Sequence, residues 1–121
     1  MANPFVHVEL ATTDVAKAKS FYQSLFAWKL KDEDMGGGMI YTMIDVGDGT
    51  GGGMMKHPMP EHGSHWLPYV LVDDIAAATA KANSLGATII KDVTDVMGAG
   101  SLSIFVDPTG ATLGLWQPKG K

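Results

Sequence analysis

Hydrophobic and polar positions alternate in the stretch FVHVEL near the start of the chain. Successive side chains of a β-strand point to opposite faces, so this alternation predicts a half-buried strand. Its apolar face carries Val6, Val8 and Leu10, which belong to a core. The opposite face carries His7 and Glu9, which places an imidazole and a carboxylate two residues apart on the side away from the core.

An apolar spacing typical of an amphipathic helix occurs twice, in the segments TTDVAKAKSFYQSLFAW (12–28) and VDDIAAATAKANSLGAT (72–88). Asp14 and Asp74 stand where each helix should begin, and an aspartate there caps the free backbone N–H groups of the first turn. Gly86, near the end of the second segment, is a typical helix stop. The apolar positions coincide after a shift of 60 residues: Val15 with Ile75, Ala18 with Ala78, Tyr22 with Ala82, and Leu25 with Leu85. The chain therefore contains an internal repeat.

Strand patterns surround each predicted helix in the same order. One strand precedes each helix (5–11 and 66–72), and three follow it (28–30, 40–46 and 52–55; then 88–91, 101–106 and 111–117). Turn signals, Asp-Gly in the first set and Asp-Pro-Thr-Gly in the second, join the last two strands of each set. We therefore predict a single domain over residues 1–121, with a βαβββ unit at 4–56, a linker at 57–65 and a second βαβββ unit at 66–118.

The fold class that follows is α+β, with two βαβββ units forming a curved mixed sheet around a cleft and the helices on its outer face. Each helix covers the apolar face of its own strands, and the open face is a natural site for a small ligand. In the last strand, Leu113 and Leu115 belong under a helix, so the alternate positions face the cleft. Alternation and the repeat then predict a cleft lined by His7, Glu9, Leu67, Tyr69, Gly114 and Trp116.

Composition and charge narrow the class of protein. Hydrophobic residues make up 45% of the chain and charged residues 18%, as in globular rather than disordered proteins. The net charge of −4 gives no basic surface for nucleic acid, and no apolar run approaches the ~20 residues of a membrane span. The absence of cysteine excludes disulfides and thiolate chemistry. Because the segment MANPFVH also lacks a secretory pattern, we expect a cytoplasmic protein.

The polar and aromatic residues of the predicted cleft allow two interpretations each. His7 is either a polar group hydrogen-bonded to Glu9 or Tyr69, or it binds or exchanges protons with a ligand. Glu9 is costly to bury alone, so it either pairs with His7 or holds a polar ligand. Tyr69 and Trp116 either fill space or receive an apolar or aromatic ligand that carries a cationic group.

Two other residue types bear on packing. Trp28 is expected in the core or at an interface, and Trp66 in the core. Methionines either fill the core or line an adaptable binding surface; those in question are Met35, Met39, Met43, Met54, Met55, Met59 and Met97.

Three motifs, FYQSLFAW, WLPYVLVDDI followed by SLGA, and DPTGATLGLWQP, together with the paired βαβββ pattern, resemble the vicinal oxygen chelate superfamily. That superfamily includes glyoxalase I, fosfomycin and bleomycin resistance proteins, and extradiol dioxygenases. The resemblance covers nearly the whole chain and points to the glyoxalase-like branch, many of whose members have no assigned reaction.

The resemblance also implies where metal ligands would stand, in the first and last strands of each unit. His7 matches one such position, whereas Leu67 and Gly114 occupy two others, and the stretch 51–55, GGGMM, provides no hard donor at the fourth. A catalytic zinc or iron site needs about three protein ligands. We therefore expect no resident metal, unless Glu9, a partner subunit or the linker histidines complete the site. Those histidines are His57, His62 and His65.

These inferences favour a small-molecule-binding, glyoxalase- or bleomycin-resistance-like protein that acts as a homodimer, because the superfamily commonly dimerises and small sheets expose edges. A role in sequestering a ligand needs no catalytic group, and whether the chain is an enzyme stays open. The alternative from another class is a metal-dependent lyase, isomerase or dioxygenase of the glyoxalase I type. A third interpretation is an interaction module whose cleft is filled by its own side chains.

Overall fold

The computed structural model describes residues 3–96 and 98–119, so Met97 lies outside the described residues. The chain divides into two compact units. We call the residues His7–Leu67 the N-terminal unit, and the residues up to Val6 together with those from Pro68 onward the C-terminal unit. Within the described ranges, no helix is long and apolar enough to cross a membrane.

The predicted order of elements is confirmed in both halves of the chain. The first half contains β1 (Phe5–Thr12), α1 (Val15–Leu25), β2 (Lys29–Asp34), β3 (Ile40–Asp45) and β4 (Gly52–Lys56), followed by a short 3-10 helix (Pro60–His62). The second contains β5 (His65–Leu71), α2 (Ile75–Ser84), β6 (Thr88–Val96), β7 (Gly100–Val106) and β8 (Thr112–Pro118). β2 and β6 extend further than their patterns predicted.

Each half builds the same mixed arrangement of four strands. In the first, the order is β2-β3-β4-β1, where β4 pairs antiparallel with β3 and parallel with β1. In the second, the order is β5-β8-β7-β6, where β8 pairs antiparallel with β7 and parallel with β5. The last strand of each half therefore lies directly beside its first strand, which brings the side chains of the two strands together.

Local sequence signals set the ends of the helices as predicted. The carboxylate of Asp14 accepts a hydrogen bond from the backbone N–H of Lys17 at 3.0 Å, and that of Asp74 accepts one from Ala77 at 3.1 Å. After α2, Gly86 adopts a φ of +106°, a left-handed conformation that favours glycine. The two halves therefore enter their helices through the same cap.

Separate apolar cores lie under the two helices. In the N-terminal unit, Leu10, Ile44 and Met54 are buried against side chains of α1. In the C-terminal unit, Leu115 is buried with Ile75 of α2, as the alternation along the last strand predicted. The apolar strand faces are therefore the helix-covered faces, and the polar positions of β1 lie on the other side of the sheet.

Three apolar side chains are more exposed than the hydrophobic pattern of the sequence predicts. Trp66 was expected in the core, but it is 39% exposed and packs edge-on against Tyr22, with ring centroids 5.5 Å apart. Leu25 and Leu85, the last apolar positions of the two helical repeats, are also exposed. Trp66 lies near the start of β5, and Leu25 and Leu85 lie at or just beyond the ends of α1 and α2. Among the methionines, Met54 is fully buried, whereas Met39, Met43 and Met59 are exposed.

Candidate functional site

A tyrosine joins the two polar residues that FVHVEL places on one face of β1. The ring nitrogen Nε2 of His7 lies 2.7 Å from the hydroxyl oxygen of Tyr41, and that hydroxyl donates to Oε2 of Glu9 at 3.0 Å. Because the Tyr41 proton points to the carboxylate, its oxygen accepts the proton of His7 Nε2. The three side chains form a hydrogen-bonded chain from imidazole to phenol to carboxylate, which we call the His7–Tyr41–Glu9 triad.

A glycine on β4 provides the space in which Tyr41 crosses the sheet. Gly53 pairs with Glu9 on β1 and with Met43 on β3, so it lies between the two strands that supply the triad. A Cβ added at Gly53 would collide with the ring of Tyr41. The absence of a side chain at this position is therefore a condition for the triad to form.

Burial and charge act on His7 in opposite directions. Burial disfavours the charged imidazolium and lowers the pKa of His7, and the Glu9 carboxylate raises it by a smaller amount. The net effect is a pKa below the usual histidine value, so His7 is neutral at pH 7. A neutral His7 donates through Nε2 to Tyr41 and keeps the other ring nitrogen, Nδ1, as an acceptor.

The structure places the other predicted site residues as follows. Leu67 is buried in the N-terminal unit. In the C-terminal unit, Tyr69 pairs with Gly114 across β5 and β8, and a Cβ at Gly114 would collide with the Tyr69 ring. Trp116 is half-buried on β8. That all six predicted residues line one cleft stays a prediction.

Sequence reasoning missed Tyr41, although it found the two residues that Tyr41 joins. The signal was present in part, because the alternation in IYTMID places Tyr41 and Met43 on the same face of β3. Alternation does not give the register between β3 and β4. That register sets Met43 opposite Gly53, and the ring of Tyr41 lies over that glycine.

The donor set does not fit a metal centre of the superfamily type. By the resemblance in sequence, His7 stands at a ligand position of the superfamily, but Leu67 and Gly114, at two others, cannot bind a metal. On β4, the space beside Gly53 is occupied by the ring of Tyr41. Across residues 3–96 and 98–119, no three side chains of His, Cys, Asp or Glu are grouped so that they could hold a metal ion. A site with two donors is short of the three that zinc or iron generally requires.

An apolar cavity of about 270 Å³ lies in the N-terminal unit, with Val8, Ile44, Trp28 and Trp66 among its lining residues. Val8 belongs to the core-facing side of β1, so the cavity and the triad lie on opposite faces of the strand. The indole rings of Trp28 and Trp66 meet edge-on with centroids 6.3 Å apart.

The chain is similar in sequence to a known superfamily and to curated relatives. Residues 5–115 match the model of the Glyoxalase/Bleomycin resistance protein/Dioxygenase superfamily. The chain is 37% identical over 116 residues to "Putative glyoxylase CFP32" of Mycobacterium bovis, which covers 91% of this chain and 44% of that protein. It is 30% identical over 130 residues to the anthracycline biosynthesis protein DnrV of Streptomyces peucetius, covering 90% of this chain and 45% of DnrV. The chain thus spans less than half the length of these curated relatives.

Solved structures show the same fold at low identity. A hypothetical protein from Bacillus halodurans C-125 superimposes with a TM-score of 0.77 at 16% identity, covering 100% of this chain and 98% of that one. Methylmalonyl-CoA epimerase from Mycobacterium tuberculosis superimposes with a TM-score of 0.70 at 17% identity, covering 94% and 87%. By its sequence match and its fold, the chain belongs to the Glyoxalase/Bleomycin resistance protein/Dioxygenase superfamily.

Proposed function

We propose that this chain binds a small organic molecule and that the His7–Tyr41–Glu9 triad holds the ligand's polar or cationic group. The observation that carries the proposal is the triad itself: a carboxylate, a phenol and an imidazole are hydrogen-bonded on the face of the sheet opposite the core. A relative named for anthracycline biosynthesis supports a small organic ligand rather than a macromolecule.

The chemistry of the triad favours a ligand with a donor or a positive charge. Glu9 is an acceptor when ionised. A cationic amine would form a charge-assisted hydrogen bond with the carboxylate, which is about twice as strong as a neutral one.

Calorimetry with an aromatic amine tests this proposal. Daunorubicin, an anthracycline, joins an aromatic ring system to an amine that is cationic at pH 7, and its aglycone lacks the amine. We expect Glu9→Gln to weaken daunorubicin binding about tenfold, because a charge-assisted bond becomes a neutral one. Binding of the aglycone should be unchanged by Glu9→Gln.

Asp95→Asn on β6 is the matched control, because it removes an exposed carboxylate from the other unit. It should leave the affinity for both molecules unchanged. If Asp95→Asn weakens daunorubicin binding as much as Glu9→Gln does, the effect of Glu9→Gln is due to the change in net charge and not to a contact with the ligand. If neither molecule binds, the proposed class of aromatic, cationic ligands is contradicted.

The metal-dependent lyase, isomerase or dioxygenase is the alternative, and nothing in the donor set favours it. Elemental analysis for Zn, Ni, Mn and Fe, on untagged protein and on His7→Ala beside it, separates the two functions. About one metal per chain that is lost in His7→Ala would establish the alternative. No stoichiometric metal after incubation with excess ion would support metal-independent binding.

Homodimer formation and a cytoplasmic location complete the proposal. Exposed apolar side chains at the end of α1 and just beyond it, Phe21, Leu25 and Phe26, support self-association. Because the sequence has no cysteine, the chain forms no disulfide, which is compatible with a reducing compartment. Light scattering at several concentrations tests the dimer, and a monomer at every concentration would contradict it.

A further inference from the structure

Three of the four histidines gather in the segment between β4 and β5, within the N-terminal unit. His57 directly follows β4, His62 ends the 3-10 helix, and His65 begins β5. The ring centroids of His62 and His65 lie 5.9 Å and 5.0 Å from that of His57, and both contacts are edge-on. The fold therefore collects three imidazoles that lie up to eight positions apart in the sequence.

His57 is the buried member of this cluster, and two backbone bonds hold it in place. Its own N–H donates to the carbonyl of Thr12 at 2.8 Å, which continues the pairing of β1 with β4. Its ring nitrogen Nδ1 accepts the backbone N–H of Met59 at 2.8 Å. The residue is only 7% exposed. The position and orientation of the His57 ring are therefore set by the backbone on both sides.

The bond from Met59 determines which ring nitrogen of His57 carries the proton. A nitrogen that accepts an N–H must present its lone pair, so in the neutral ring the proton lies on Nε2. Nε2 is buried and has no hydrogen-bond partner among the described residues. A buried N–H without an acceptor is costly, and native structures rarely leave one. The His57 ring is therefore a fixed donor that requires an acceptor.

The same argument excludes the obvious ligand of a three-histidine cluster. A metal ion would need the lone pair of Nε2, but that nitrogen carries the proton as long as Nδ1 accepts from Met59. In agreement, the described residues contain no group of three that could hold a metal ion. The missing partner of His57 is an acceptor, not a cation.

We propose that His57, His62 and His65 form a binding site for a small oxyanion, a carboxylate or a phosphate. An oxyanion provides the acceptor that His57 Nε2 lacks, and imidazoles on either side can donate further hydrogen bonds. His62 and His65 are exposed, so they can turn aside to admit the ligand, whereas the bonds to Thr12 and Met59 keep His57 in place.

The flanking charges do not supply this attraction. Lys56 precedes the cluster and Glu61 lies within it, both exposed, and their charges are opposite. The affinity must therefore come from the histidines themselves, and above all from the buried donor of His57. The site is separate from the triad and does not depend on the proposed function.

NMR of the histidine side-chain nitrogens tests the proposal on the wild-type chain. In the absence of anion, His57 should show the tautomer with the proton on Nε2. Titration with inorganic phosphate, and separately with acetate, should shift the signals of all three clustered histidines along one saturable curve. Sodium chloride at matched ionic strength should not. His7, the fourth histidine, reports on the triad and should not follow that curve.

His57→Asn is the matched variant, because an asparagine oxygen can accept the Met59 N–H in an Asx-turn while the Nε2 donor is lost. We expect it to weaken anion binding at least tenfold, as the loss of a charge-assisted hydrogen bond would. Saturation by phosphate alone would assign a phosphoryl ligand, and saturation by both anions a carboxylate-sized one.

Several results would overturn the proposal. Shifts that sodium chloride reproduces, or that His57→Asn leaves unchanged, would show that His57 is not the donor. So would the opposite tautomer, with stoichiometric Zn²⁺ bound at Nε2. A crystal structure in phosphate with a single buried water on Nε2, not displaced by the anion, would identify that water as the permanent acceptor.

Discussion

Each unit places a tyrosine ring over a glycine of its last strand, but the two tyrosines differ in their burial and in the strand from which they come. In the N-terminal unit, Tyr41 comes from β3 and crosses Gly53, and its hydroxyl joins the triad. In the C-terminal unit, Tyr69 comes from β5, lies opposite Gly114 and is 3% exposed. One ring is part of a polar, half-buried network, and the other fills the interior.

The comparison shows that a tyrosine ring occupies the space beside a glycine of the last strand in both halves. Gly114 stands where the superfamily's metal-dependent members carry a ligand, according to the resemblance in sequence, and its space is taken by the ring of Tyr69. The equivalent strand of the first half has Gly53, and its space is taken by Tyr41. Because Tyr41 approaches from the other neighbouring strand, its hydroxyl reaches His7 and Glu9.

The largest effect is expected from Gly114→Ala. The new Cβ would collide with a ring that is packed on all sides, so that strand or ring must shift. We expect a loss of about 3 kcal/mol in the free energy of unfolding, measured by urea denaturation. The double variant with Tyr69→Leu should recover part of this loss, and a fully stable Gly114→Ala would contradict the packing described for this unit.

A smaller loss is expected from Gly53→Ala, because Tyr41 is only half-buried and can turn away from the new Cβ. Both hydrogen bonds of its hydroxyl would break, and we expect about 2 kcal/mol. The same urea denaturation measures it. If Gly53→Ala proves as costly as Gly114→Ala, the two rings are equally confined and the distinction between the units is wrong.

Tyr41→Phe isolates the hydrogen bonds from the packing. The ring stays over Gly53, but His7 Nε2 loses its acceptor and Glu9 loses a donor. We expect a loss of about 1–2 kcal/mol in stability. Phe21→Leu, which replaces an exposed ring of α1 outside the triad, should have little effect and serves as a control. An unchanged stability of Tyr41→Phe would mean that the triad is not formed in solution.

The smallest expected effect is a pH dependence that His7 contributes. Its pKa is lowered in the folded state by burial, so the unfolded chain binds a proton first as the pH falls through the ordinary histidine pKa of 6.5. Stability should therefore decrease from pH 7 toward pH 5 more in the wild type than in His7→Gln. Parallel urea titrations measure this.

Two carboxylates with lowered pKa values do not contribute to the stability change between pH 7 and pH 5. Hydrogen bonds from Thr42 and Thr109 lower the pKa values of Asp32 and Asp107, respectively. A lowered carboxylate pKa contributes stability that is lost only when the pH falls below the ordinary aspartate pKa of 3.8. Identical slopes for wild type and His7→Gln between pH 7 and 5 would contradict the burial of His7.

The sequence was sufficient to predict the fold because its signals are local and occur twice. Asp14 and Asp74 cap the helices within three residues of their own positions, and alternation assigns each strand a core face. Periodicity was less reliable at the ends of elements. Leu25 and Leu85 follow the helical spacing but are exposed; Leu25 is the last residue of α1, and Leu85 lies just after α2.

The candidate site could be predicted only in part. His7 and Glu9 share a strand, so alternation alone places them together. Tyr41 lies 32 residues from Glu9 in the chain, and it meets that residue only because β4 pairs with both β1 and β3. Register of this kind depends on the packing of whole strands, which a local pattern does not contain.

The amino-acid sequence by itself determined the repeat, the helix caps, the apolar strand faces and the superfamily, because these follow from patterns within single elements and from the order of the elements along the chain. Only the tertiary structure decided that Tyr41 completes the triad and that His57 carries a buried donor without an acceptor. Both outcomes depend on which side chains long-range pairing brings within about 3 Å of each other, the distance at which hydrogen bonds form.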